Sequence, residues 1–176
     1  HPDTGQRIQP SDLNVIYWAD EEVGMLADGL WVDERRFMEP GFADKVQRFV
    51  TASLEGWLFC REDAEACLNS VMEAGPLLGR SHQSWQLIET LKLIWPSDYG
   101  IGIAPESSWL RSGLILASDP DVDLRSGNLS STMGSTTGTW TDDFVKAAHA
   151  ELHPSWIDLT GYRWHYTHGQ LNLAGD

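Results

Sequence analysis

Two cysteines, Cys60 and Cys67, stand seven positions apart in the acidic stretch GWLFCREDAEACL, residues 56–68. Thiols so placed could ligate a metal, exchange electrons or close a bridge. The CxxC spacing of thiol–disulfide exchange is not met, and no third or fourth soft ligand stands nearby to complete a zinc site. A tight helical corner between the two would bring their Cα atoms within the ~4.4–6.8 Å that a disulfide spans. On these grounds two readings stay open: a bridge, or two small buried thiols packed side by side.

HAELH, residues 149–153, puts His149 and His153 one helical turn apart on a single face, the spacing of two metal ligands. It is not HExxH, Glu151 projects to another side, and a histidine in a last helical turn is favoured by the helix dipole without any metal. Solvated histidines are therefore the expectation, with His165 and His168 of WHYTHG adding little. Neither a tightly bound metal nor a cofactor is expected. DPDVD, 119–123, begins like a calcium loop, but its sixth position is Leu124 rather than glycine and its twelfth is Ser130 rather than glutamate. The Gly/Ser/Thr run 130–139 has no lysine after a glycine, and GSTTG lacks the GxSxG serine. Asn128-Leu129-Ser130 is a glycosylation triplet that matters only in a eukaryotic secretory setting.

The acidic connector DEEVGMLAD, 20–28, is the better candidate for binding. Asp20, Glu21, Glu22 and Met25 would suit a cationic or polar small ligand, and a solvated link between two strands is the plain alternative. His82, Gln83 and Gln86 of HQSWQ could likewise hydrogen-bond a ligand or simply decorate a helix around a core Trp85.

These residues need a frame. The 176 residues, 41% hydrophobic with nine tryptophans, are enough for one packed core. Twelve basic against 26 acidic residues give a formal charge of −14, which repels phosphate backbones and anionic lipid, so no nucleic-acid partner is expected. No apolar run approaches the ~18 residues of a membrane span. The opening HPDTGQRIQPSDLNV lacks signal-peptide regions, which makes a soluble chain, intracellular or already trimmed, the expectation.

LNVIYWA (13–19) and GLWVD (29–33) read as strands by their β-rich, apolar content. From Phe42 the period changes: Val46, Phe49, Val50, Ser53, Leu54, Trp57 and Leu58 recur at three and four, predicting an amphipathic helix that ends near Cys60. A second helix follows at once, with Glu62, Asp63 and Glu65 in its first turn and Ala64, Cys67, Leu68, Val71 and Met72 as its stripe, stopped by Gly75-Pro76. A third is expected from about Ser81 to Trp95, with Trp85, Ile88, Leu91 and Leu93 to Trp95 inside, and a fourth from Ser107 or Ser108 to about Ala117. A fifth is capped by Thr141 or Asp142 and runs through His153. The fold class is thus helix-dominated α/β, about five helices with two or three short strands, in a single domain over 1–176 whose residues 118–139 form a long surface connection.

The succession DLNVIYWAD, GMLADGLWV, VQRFVTASLEGWLFCREDAEACLNSVMEAG and GRSHQSWQLIETLKLIWPSDYGIGI, with TDDFVKAAHAEL and the closing DLTGYRWHYTHGQLNLAGD, resembles the C-terminal half of ABC-transporter substrate-binding proteins of the nitrate/taurine type. The likeness covers essentially the whole chain, and RFVTASLEGW and LIWPSDYGIGI are its most specific blocks. It implies the C-terminal part of a type II periplasmic-binding-protein fold, and a periplasmic or lipid-anchored extracytoplasmic receptor that delivers a small molecule to an ABC permease. The oxidising location that it implies favours the Cys60–Cys67 bridge. Because the chain recrosses the hinge near the connector in that family, Asp20, Glu21, Glu22 and Met25 are the implied ligand contacts. Their acidity favours a neutral or cationic heterocycle or an amine.

A full receptor has about twice this length, so the likeness also implies a fragment, processed product or split receptor completed by an N-terminal half or by self-association. No catalytic step is expected. The alternatives are an interaction or structural module derived from the fold, and an enzyme like the thiamine-pyrimidine synthases of the same superfamily, whose cysteine-rich motif has no match here.

Overall fold

Helix α1, Phe42–Glu62, starts where Gly41 takes a left-handed conformation (φ 76°) and stops at Asp63, whose non-helical backbone breaks the run. Asp63 then caps the next helix: its carboxylate accepts a 3.0 Å hydrogen bond from the Ala66 N–H, opening α2, Ala64–Ala74. One residue therefore makes the whole corner. Cys60 in the last turn of α1 and Cys67 in the first turns of α2 meet across it, Cα atoms 4.9 Å apart and sulfurs at bonding distance, 2.00 Å.

The computed structural model describes residues 5, 7, 9–18, 20, 21, 23–25, 28–121, 140–152 and 157–164. Its remaining helices are α3, Arg80–Ile94, α4, Glu106–Ser118, and α5, Asp143–Leu152. Arg80 ties the start of α3 back to α2 through Glu65 and Asn69. Trp95 ends α3 in extended backbone, and Pro96 cannot continue the helix. Thr141 caps α5 by accepting the Asp143 N–H at 3.1 Å.

The chain divides into two units, 1–30 with 106–139, and 31–105 with 140–176. In the second, α1 packs chiefly on α5 and also on α2, and α2 packs on α3. Leu54 and Leu58 of α1, Ile88 and Leu91 of α3, and Val145, Ala148 and Leu152 of α5 recur at the three- and four-residue spacing of a buried helical face. Ala148 and Leu91 are fully buried. Gln47 donates to the Phe144 carbonyl and the Thr51 hydroxyl to Glu151, lining the α1–α5 seam with paired polar groups. Phe37 closes one end, edge-on to Phe42 and stacked on Phe144.

In the first unit α4 buries Ser112, whose hydroxyl returns to the Ser108 carbonyl. The segment before the acidic connector turns on itself, the Tyr17 carbonyl accepting from the N–H groups of Asp20 and Glu21 and that of Trp18 from Val23.

Five helices form where the periodicity placed them. The strands do not. Among the described residues no strand is present, and 13–18 and 29–33 run as irregular chain. The physical reason is that a strand exists only through a ladder to another strand, and neither segment finds a partner among the described residues. Five side chains assigned to apolar faces also lie outside the core, among them Phe49 and Trp57 of α1 and Val71 of α2, because the face each helix buries is narrower than the stripe its apolar residues mark. Leu93 sits two residues from Leu91, which is the opposite side of the helix, and is 88% exposed, while Trp85 is 46% exposed beside His82. The 118–139 connection lies outside the described residues from 122 onward.

Candidate functional site

The second unit carries an open depression of about 560 Å³ lined by Tyr99, Gly100, His149, Leu159, Thr160 and Arg163, among others. Two connecting segments make it. Residues 95–103, after α3, lie against 157–164, after α5, joined where Ser97 N–H donates to the Thr160 carbonyl and Ile101 N–H to that of Leu159.

Asp158 holds the second segment. Its carboxylate accepts from the Thr160 N–H and hydroxyl, the Gly161 N–H and the Arg163 N–H, with the Arg163 guanidinium 3.7 Å away. Burial pushes this carboxyl upward, but the Thr160, Arg163 and Gly161 hydrogen bonds and the Arg163 charge outweigh it, so the group is held below the usual carboxylate range. Gly161, at φ 73°, lies so close to Trp95 that a Cβ there would approach the indole to 2.3 Å. Only glycine satisfies both the backbone and the contact.

Beneath the loop, Arg61 is almost wholly buried: its guanidinium lies 4.8 Å over the Trp95 ring, donates to the Asp158 carbonyl and pairs with Glu62. A buried cation needs such partners, since an unpaired one would be prohibitively desolvated. Nearby, Tyr162 donates its hydroxyl to Asp98, which raises the phenol above its ordinary range.

His149 proves not to be a solvated histidine. It is half-buried, and its Nε2–H donates to the Ile101 carbonyl at 2.8 Å. Gly100, at φ 88°, faces the same ring, and a Cβ on it would come within 2.7 Å of Cε1. His149 is thereby committed to positioning the 95–103 segment, and His153, His165 and His168 lie outside the described residues. Among the described residues no cluster of three or more metal-ligating side chains occurs. The depression brings His149, Thr160 and Arg163 to one open surface.

The acidic connector is placed elsewhere, in the first unit. Asp20 and Glu21 are exposed on the turn that closes on Tyr17, and Met25 is 46% exposed. Glu22 lies outside the described residues. Arg61 and Asp158 were not singled out by sequence reasoning. Arg61 carried one local signal, a cation in the last turn of a helix, but its partners are remote in sequence.

No helix of the described residues is long and apolar enough to cross a membrane. No family model, curated protein or solved structure matches the chain.

Proposed function

We propose that the chain is the C-terminal half of the solute-binding component of an ABC importer, built on the type II periplasmic-binding-protein fold and working outside the cytoplasm without a catalytic step. One observation carries the reading. The β-rich segments that flank the acidic connector present Leu13, Val15, Ile16, Tyr17 and Trp18, and then Leu30, Trp31 and Val32, with 49–78% of each side chain exposed. Each such side chain would contribute about 1.5–3 kcal/mol on full burial, so two adjacent segments of this kind are poised to be covered. In a two-lobed receptor they would become the strands that cross between lobes, and the carboxylates between them would meet the cleft.

The ligand contacts are then Asp20, Glu21, Glu22 and Met25, and the ligand a neutral or cationic heterocycle or an amine, because an uncompensated carboxylate facing an anion costs repulsion and desolvation. The Cys60–Cys67 bridge supports the location, since such bonds persist in oxidising compartments. The permease is the further partner.

Amide exchange tests the assembly. With the cognate N-terminal half supplied as a separate chain, the amides of 13–18 and 29–33 slow by at least about a hundredfold, as ladder hydrogen bonds require. Exchange unchanged by that half would remove the strand role and the proposal with it.

A further inference from the structure

We infer that the outer face of α1 is a self-complementary docking surface for a second copy of this chain, bound antiparallel across a two-fold axis. This inference is independent of the receptor reading.

The helix buries Phe42 in its first turn, under Phe37, and beyond it Thr51, Leu54, Leu58 and Arg61. Directly opposite run Lys45, Phe49, Ala52, Gly56 and Phe59, one line at spacings of four and three. Phe49 is 61% and Phe59 47% exposed, so two aromatic rings stand on the side of the helix farthest from the core. Between them the surface is low, with Ala52 and Gly56 exposed and nothing within 4 Å of where a Gly56 Cβ would sit. Glycine in a helix interior is unfavourable relative to alanine, and no contact within the chain requires it at this position.

The spacing selects the occupant. Phe49 and Gly56 are seven residues apart, two turns or about 10.5 Å. When two copies of α1 cross antiparallel about a point between Ala52 and Ser53, each Phe49 ring lies over Gly56 of the other copy.

The charges select the same geometry. Arg48 and Glu55, also seven apart, share one flank of the stripe, and the two-fold axis sets Arg48 of one copy beside Glu55 of the other, offset by only about 3 Å along the helix, twice per dimer. Glu55 has no ion-pair partner among the described residues, and Arg48 is held only by the exposed Asp44 pair at 3.1 Å. A parallel pairing would instead put Arg48 and Glu55 of the two copies on opposite flanks of the seam, where they cannot pair.

One helix-on-helix contact falls below the roughly 1,200 Å² of the weaker specific interfaces, so the dimer dissociates readily. The charge of −14 opposes association, but at 0.15 M salt its field is screened over about 8 Å, and the local pairing decides.

Sedimentation equilibrium of the 176-residue chain at about 10–500 μM and 0.15 M salt reads this directly, across the range of a weak complex. The expected result is a monomer–dimer equilibrium. Gly56→Leu, whose side chain meets open space in its own chain, keeps the helical circular dichroism and weakens dimerisation by more than about tenfold. Arg48→Glu and Glu55→Arg each weaken it by about tenfold, and the double reversal returns it to within about twofold of the parent. No dimer at the highest concentration, a dimer indifferent to Gly56→Leu, or a double variant no better than the single ones would each overturn the inference. Association through the exposed 13–18 segment would survive Gly56→Leu and so be recognised.

Discussion

Asp158 gathers donors from Thr160, Gly161 and Arg163 onto one carboxylate and so fixes the loop that lines the depression. Its folded-state acidity is raised relative to an ordinary carboxyl. A group with a depressed folded pKa contributes stability that is complete above the unfolded value of about 4 and is lost as pH falls through the lower folded value. Urea unfolding of the parent and Asp158→Asn should therefore differ by a constant amount above about pH 4 and converge only as pH falls below the depressed folded value, where the carboxyl is protonated in both states. A gap independent of pH would show that the carboxylate's charge plays no part.

The Cys60–Cys67 bond closes a short loop and should contribute about 2–3 kcal/mol, so that the paired Cys60→Ser and Cys67→Ser variant melts about 5–10 °C lower. An unchanged melting point would make the bridge dispensable. The nearness of the two cysteines was legible because seven residues across a corner is a local relation, although that relation alone left a bridge and two packed thiols both open. The Arg61–Asp158 contact was not, because the two residues lie 97 apart and only the finished fold brings them together.

At the scale of elements, the helices followed from a pattern that each segment carries within itself. The stripe at Leu54 and Leu58, the Asp63 cap, the Gly75-Pro76 stop and the Thr141 cap all act within a few residues. Leu91 is the clearest product of that pattern, fully buried where α3 faces the core. Leu91→Ala should cost about 3 kcal/mol in denaturant unfolding with the native circular dichroism retained, and a loss under 1 kcal/mol would mean that α3 does not close the core. The strands failed for the complementary reason. LNVIYWA and GLWVD have strand composition, but composition supplies only one side of a ladder, and the other side must come from elsewhere. Trp85 and Leu93 failed within an element correctly placed, because a helix rich in apolar residues exposes some of them whichever face it buries.

At the scale of the whole molecule, the helical core is complete within the second unit, whereas the segments around the connector leave their apolar side chains in solvent. On the function proposed above, these segments would be covered in a larger binding assembly to which the acidic connector contributes the ligand contacts. Calorimetry on the chain assembled with its N-terminal half tests this most directly, using cytosine, putrescine, nitrate and taurine as probes. Saturable binding of the pyrimidine or the amine is expected, weakened about tenfold or more by Glu21→Gln together with Glu22→Gln, as loss of a charge-assisted hydrogen bond requires. Tight binding of nitrate or taurine, or affinity for any probe unaltered by the double substitution, would contradict it.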